Sequence, residues 1–168
     1  ERLHIESCEK TKINYPLEYL GYRFSKIKSK EGSTLTVSIA EKKIKKIKTR
    51  IALSFVDYTR NSNFSLLENR LKFLTGNHSI KKKSDGSDLR SGIFFNYSQI
   101  TDYAQLQGLN IYYRKILFSK KGNLGIQIDC LSNEQKRRLS KYCFITGFKK
   151  KIYYAFDYSQ MSNIVKCW

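Results

Sequence analysis

Acidic residues are scarce. Fourteen Asp plus Glu stand against 32 Lys plus Arg, which leaves a formal charge of +18 on 168 residues and a pI near 9.8. That balance argues against an acidic small-molecule enzyme and points to a phosphate-rich partner, with a merely solvated basic surface as the alternative. No run of 18 apolar residues occurs, so no transmembrane helix is expected. The start, Glu1-Arg2-Leu3-His4, has no apolar segment of the signal-peptide kind and no initiator Met, which suggests an excerpt of a longer chain. The four cysteines, Cys8, Cys130, Cys143 and Cys167, form no C-x-x-C pair, and His4 and His78 stand apart from them. Neither a zinc site nor a disulfide framework is therefore expected, and reduced thiols in a cytosolic protein are the simplest reading. There is no G-x-x-x-x-G-K-[ST] loop and no G-x-S-x-G elbow. No carboxylate cluster of the kind a two-metal nuclease or polymerase needs is visible, and Asp85 and Asp88 read as loop charges beside Lys81 to Lys83.

Apolar and aromatic residues are plentiful enough for a core, at 40% and 14% of the chain. The first 30 or so residues read as extended. After Pro16, the only proline, Leu17 to Phe24 (LEYLGYRF) alternates roughly around Gly21, as a strand or hairpin arm does, with Thr34 to Val37 as a returning strand. At Ser38 the period changes. Ser38 and Glu41 fit an S-x-x-E capping box, and Ile44, Ile47, Ile51, Phe55 and Tyr58 recur at spacings of 3, 4, 4 and 3. This predicts an amphipathic helix to about Arg60 whose other faces carry Lys42, Lys43, Lys45, Lys46, Lys48 and Arg50. Lys43, Lys46 and Arg50 form one stripe; Lys42, Lys45 and Thr49 form its neighbour.

A second capping box, Ser65 with Glu68, opens a helix through Leu66, Leu67, Leu71 and Leu74 that ends in a left-handed cap at Gly76-Asn77. Residues 80–92 read as a mobile polar loop. Thr101 caps a third helix through Leu106, Leu109, Tyr113, Ile116 and Leu117. Leu124 to Leu131 reads as a short strand or extended connection. Ser132 with Gln135 is a third capping box, for a helix running to about Gly147, and the aromatic tail ends in a short helix over 159–168.

Three features in order resemble a reverse transcriptase of the bacterial, group II intron-like or defence-associated antiviral kind. Glu9-Lys10-Thr11-Lys12 resembles the E-K-T-K segment after the catalytic strands. Leu20-Gly21-Tyr22 resembles the F-L-G-Y element of the primer-grip hairpin. The basic helix follows where the family's thumb begins. The segment Ser91 to Tyr97 is similar to the defence-associated group. The Tyr-x-Asp-Asp motif, the earlier metal-binding Asp and the fingers are absent from this sequence, and Asp57-Tyr58 and Asp157-Tyr158 have the wrong order and context to replace them.

The resemblance implies an α+β, mainly α fold: the end of the palm with a primer-grip-like hairpin over 1–37, and a helical thumb over 38–168. It implies part of an RNA-directed DNA polymerase that clamps and positions the primer–template duplex in bacterial antiviral defence, inactive alone. Its primer grip would be Tyr19, Leu20, Gly21 and Tyr22, although Tyr19, Tyr22 and Phe24 also suit packing. Lys10 would lie on the triphosphate side or be merely solvated, and Lys42, Lys43, Lys45, Lys46 and Arg50 would hold nucleic acid. No cofactor belongs to this chain; Mg²⁺ is expected in the absent palm. Expected partners are an RNA–DNA hybrid or template RNA, the remaining palm and fingers, and a non-coding RNA as a further candidate, with no membrane and a bacterial cytoplasmic location. A free-standing, non-enzymatic RNA-binding module is the rival reading.

Overall fold

The structure is a computed structural model that describes residues 16–29, 32–81 and 88–168. Lys10 with the E-K-T-K segment, Cys8, His4 and Asp85 lie outside the described residues. The fold is α+β and mainly α. Strands β1 (Leu17–Tyr19), β2 (Tyr22–Ser29) and β3 (Gly32–Ile39) form an antiparallel sheet in the order β1-β2-β3. The register pairs Leu17 with Phe24, Phe24 with Val37 and Tyr22 with Ile39. Helices α1 (Glu41–Asn61) and α2 (Phe64–Thr75) follow. Next come a two-stranded hairpin of β4 (Asn77–Lys81) and β5 (Asp88–Gly92), and then α3 (Ile93–Tyr97). The chain closes with α4 (Ala104–Leu117), α5 (Gly122–Asp129), α6 (Asn133–Leu139), α7 (Phe144–Lys149) and α8 (Tyr158–Val165).

The apolar stripe of α1 packs inward as its spacing requires. Ile44, Ile51 and Phe55 are buried, and Ile47 and Tyr58 are partly so. They meet Leu67, Leu71 and Leu74 of α2 and Leu106, Leu109, Tyr113 and Leu117 of α4. Ile128, Leu139, Phe144 and Phe148 complete one continuous core. Each such side chain contributes about 1.5–3 kcal/mol of hydrophobic stabilisation. Tyr113, 1% exposed, keeps its hydroxyl satisfied by donating to the Leu139 carbonyl at 2.7 Å.

Several local expectations give way to tertiary contacts. Ser38 is not a helix cap: it lies in β3 and its Oγ donates to the Arg23 carbonyl, while Ala40 takes the cap position of α1. The expected boundary between residues 37 and 38 therefore falls inside a strand. For α2, Asn63 rather than Ser65 is the cap, its side chain accepting from the Leu66 N–H at 3.0 Å. Gly76 is extended rather than left-handed, because Asn77 must start β4 at once. The ends of the expected loop over 80–92 are the paired strands β4 and β5. Thr101 does not cap α4, which begins at Ala104; it pairs with Val37 instead. Leu124 to Leu131 is not extended. It belongs to α5 and its exit, with Gly125, Ile128 and Leu131 buried while Ile126 is 61% exposed, the pattern of a helix face rather than of a strand. The Ser132–Gln135 capping box forms in full. The helix it opens stops at Leu139, and α7 is a separate helix whose first N–H, at Phe144, donates to the Asn110 side chain at 2.8 Å.

The helices and the β4–β5 hairpin cross at Asn77, which is fully buried. Its N–H donates to the Ile152 carbonyl at 2.9 Å and its carbonyl accepts from the Tyr154 N–H at 2.7 Å. Its side-chain amide donates to the carbonyls of Ile152 (3.0 Å) and Gly147 (3.3 Å), and its Oδ1 accepts from the Phe94 N–H at 2.9 Å. Gly147 is required here because a Cβ would run into the Thr75 carbonyl. Nearby, the buried Glu68 carboxylate accepts from Arg138 Nε (2.5 Å) and Nη2 (2.7 Å) and from the Tyr142 hydroxyl (2.7 Å), with Lys72 at 3.4 Å. Burial pushes Glu68 up, but these hydrogen bonds and charges together hold its carboxyl below the usual range.

Replacing Asn77 by Ala strands the Phe94 N–H and takes one of two donors from each of the Ile152 and Gly147 carbonyls, and should lower stability by about 2 kcal/mol in chemical denaturation; an unchanged midpoint would show that the crossing does not depend on it. Burial of His78 lowers its pKa from 6.5 to about 4. The folded state therefore binds fewer protons than the unfolded state between those values. Stability is full above about pH 6.5 and falls by about 3 kcal/mol as pH drops toward 4. Asp57 and Glu68, both held low, titrate below most of that window. Thermal melts of the wild type and of His78→Phe across pH 7 to 4.5 should diverge, the variant losing less.

Candidate nucleic-acid interface

The two central residues of the β1–β2 turn, Leu20 and Gly21, both have positive φ, +48° and +87°. That is the pattern of a primed hairpin turn, and it favours Gly at the second position. The turn is seated on the start of α1. The Gly21 carbonyl accepts from the Ala40 N–H at 2.8 Å, and Glu18 Oε1 accepts from the Glu41 N–H at 3.2 Å. Helix α1 has no side-chain cap of its own, so the hairpin supplies partners for amides that a helix start leaves unpaired. A Cβ on Gly21 would stand 3.3 Å from Lys43 Cε, so this turn and the first basic turn of α1 are in direct register.

The other edge of the sheet is held by side chains of the bundle. Gln105 clamps the last residue of β3: its Oε1 accepts from the Ile39 N–H at 2.7 Å and its Nε2 donates to the Ile39 carbonyl at 2.9 Å. Thr101 Oγ1 accepts from the Val37 N–H at 3.0 Å, and the Thr101 N–H donates to the Val37 carbonyl at 2.9 Å. The exposed edge of β3 is thereby covered where it joins α1. Sequence reading missed Gln105 and Glu18, because a side chain reaching a distant backbone group leaves no periodic signal.

The four primer-grip candidates divide. Gly21 forms the joint. Tyr22 is half-buried, donates through its hydroxyl to the Asn96 carbonyl at 3.2 Å and meets the Tyr97 ring edge-on at 6.3 Å. Tyr19 and Leu20 are exposed, at 59% and 79%. The pleat and the register put Leu17, Tyr19 and Leu35 on the same face as Ile39, and the bundle leaves all three largely uncovered.

Along α1, Lys42, Lys43, Lys45 and Lys46 are exposed. The ion pairs among the described residues join Arg70 to Asp57, Lys72 and Arg138 to Glu68, and Lys136 to Asp129, so none neutralises these four lysines. Lys48 lies over the Tyr112 ring. Arg50 departs from the expected surface stripe: it is half-buried, with its guanidinium 4.9 Å over the Trp168 ring. Within α1 the free basic surface is thus the first two turns, beside the Leu20–Gly21 turn. Among the described residues no group of three or more His, Cys, Asp or Glu is placed to hold a metal ion, and Cys130, Cys143 and Cys167 are free. No helix among the described residues is long and apolar enough to cross a membrane.

Gln105→Ala should raise hydrogen exchange of the Ile39 amide by on the order of tenfold, the loss of about one net hydrogen bond, with less change in the α4 core. Unchanged exchange would remove Gln105 from the joint. Comparison of the chain with protein-family models, with curated proteins and with solved structures gives no match.

Proposed function

We propose that this chain is the palm-end hairpin and thumb of an RNA-directed DNA polymerase of the bacterial defence-associated kind, and that it clamps and positions the primer–template duplex. The observation that carries the reading is the four uncompensated lysines of α1, fixed against the Leu20–Gly21 turn through the Ala40–Gly21 and Glu41–Glu18 hydrogen bonds. A strand lying on α1 meets Lys43 and Lys46 on one stripe and Lys42 and Lys45 on the next. Contacts of this kind position a backbone and carry no sequence information. An RNA–DNA hybrid is near A-form, and recognition of it rests on backbone and groove shape. The turn then holds the strand end beside Tyr19, with the Lys43 side chain lying against Gly21.

In this reading the catalytic carboxylates and their Mg²⁺ belong to the palm, in residues outside this sequence. The exposed Leu17, Tyr19 and Leu35 face is the surface that the palm covers. This chain's own part is to hold and align. The second reading, a free-standing RNA-binding module, shares the basic face and differs in having no palm to dock.

Titration with a blunt RNA–DNA hybrid, a DNA duplex and single-stranded RNA at about 50 and 200 mM salt tests the clamp. The hybrid should bind best, with log K falling against log salt at about −0.9 per phosphate contact. Replacing Lys42, Lys43, Lys45 and Lys46 together by Ala should flatten that slope by about 3 to 4. Equal binding of all three ligands, unaffected by the substitutions, would overturn the clamp. Preference for single-stranded RNA would favour the module.

A further inference from the structure

A chain of aromatic contacts through α3 carries three cations. Tyr103 meets Phe148 at 5.6 Å, Phe148 meets Phe94 at 5.4 Å, and Phe94 meets Phe95 at 5.4 Å, all near edge-on. Lys149 Nζ stands 4.8 Å from the Tyr103 ring centre, Lys151 Nζ 4.4 Å from that of Phe94, and the Arg90 guanidinium 5.8 Å from that of Phe95. A ring face steadies a cation without neutralising it. Among the described side chains no carboxylate pairs with any of the three, and all three residues are exposed.

The backbone brings two of them to one place. Arg90 and Lys151 line an open hollow of about 430 Å³ with Ser79, Phe95 and Tyr153. Arg90 stands opposite Ser79 in the β4–β5 ladder, and Tyr153 lies beside β4 through its parallel bridge to Asn77. Lys151 arrives from the end of α7. The helix dipole favours cations at such an end, which accounts for Lys149 and Lys150. It does not account for Lys151, whose φ is +50°. A left-handed residue at a helix exit is usually Gly or Asn, because a longer side chain strains the backbone there. The chain keeps a lysine in that position, and its ammonium comes to rest over Phe94 beside the hollow. Tyr153 is 48% exposed at the same hollow.

Steadied, uncompensated cations beside an exposed ring are the combination that holds single strands, with phosphates on the cations and a base on the ring. A duplex would offer its phosphates but no base face, since its bases are stacked on one another. The surface is also continuous with the hairpin: α3 supplies Phe94 and Phe95 here, while its Asn96 and Tyr97 hold Tyr22.

We infer that the surface of Arg90, Lys149, Lys151 and Tyr153 binds a single-stranded stretch of nucleic acid, its phosphates on the cations and one base stacked on Tyr153. The inference goes beyond the clamp reading. It needs neither a duplex nor the α1 lysines.

Three labelled hexamers are titrated onto the full chain by anisotropy: hexauridylate, hexathymidylate, and a hexamer of abasic deoxyribose phosphates with the same charge. The base-bearing hexamers should bind about tenfold tighter than the abasic one, the gain of one stacked base. Tyr153→Ala should remove that gain and leave the abasic hexamer unaffected. Replacing Arg90, Lys149 and Lys151 together by Ala should weaken all three hexamers at least tenfold and flatten the salt slope by about 2. Replacing Lys42, Lys43, Lys45 and Lys46 by Ala should leave the preference for base-bearing hexamers in place. Lys151→Gly separates binding from folding, because it relieves the left-handed position while deleting the charge. It should melt no lower than the wild type and still bind hexauridylate several-fold more weakly. The stronger of the two base-bearing hexamers, RNA or DNA, identifies the natural strand, and either order supports the surface. Equal binding of the abasic hexamer would overturn it, since charge alone would then suffice. So would wild-type hexamer affinity in the triple variant, or loss of the base preference with the α1 lysines alone.

Discussion

The buried side chain of Asn77 is the constraint on which the arrangement of the bundle rests. It sits where α2 ends, β4 starts, α3 begins and α7 passes, and its one amide bonds backbone groups of α3, of α7 and of the segment after α7. Carbonyls and N–H groups at element ends are costly when buried unpaired. Without a residue that both donates and accepts, these ends could not converge. The fit also demands that α7 touch Thr75, which only Gly147 permits. The short helices of the second half are therefore held less by their own propensity than by this crossing, by Asn110 at the start of α7 and by the Arg138–Glu68–Tyr142 cluster.

The hairpin depends on the bundle in turn. A small antiparallel sheet gains stability by packing against a helix. Here Gln105 and Thr101 take the outer edge of β3, while Glu18 and Gly21 take the start of α1. The sheet and α1 are joined through these hydrogen bonds, which set the lysines of α1 beside the turn at Leu20 and Gly21. In a clamp, that relation would set the distance between the strand end and the phosphates behind it.

Long periodic segments were legible in the sequence. The stripe from Ile44 to Tyr58 placed α1, the leucines placed α2 and α4, and the alternation around Gly21 placed the hairpin. Signals confined to one residue pair were not equally legible. Three S-x-x-E/Q patterns occur. Only Ser132 forms its box, because Ser38 is claimed by β3 and Asn63 stands one turn-step ahead of Ser65. Leu124, Ile126 and Ile128 alternate like a strand, yet burial of Gly125 and Leu131 made the segment helical. Within the candidate site, the exposed lysines could be read from composition and spacing. The inward turn of Arg50 and the grip of Gln105 could not, since each depends on residues 20 or more positions away.

Aligned peptide dipoles leave a helix start partially positive and ready to receive an anion. In α1 that position is already occupied by the chain's own Glu18 carboxylate and by the Gly21 carbonyl. In a clamp, a phosphate would thereby be turned away from the helix end toward the lysines on its flank. The strand would then approach side-on, parallel to the axis, rather than head-on. The acid that closes off the helix end thus fixes the direction in which the basic surface can be used.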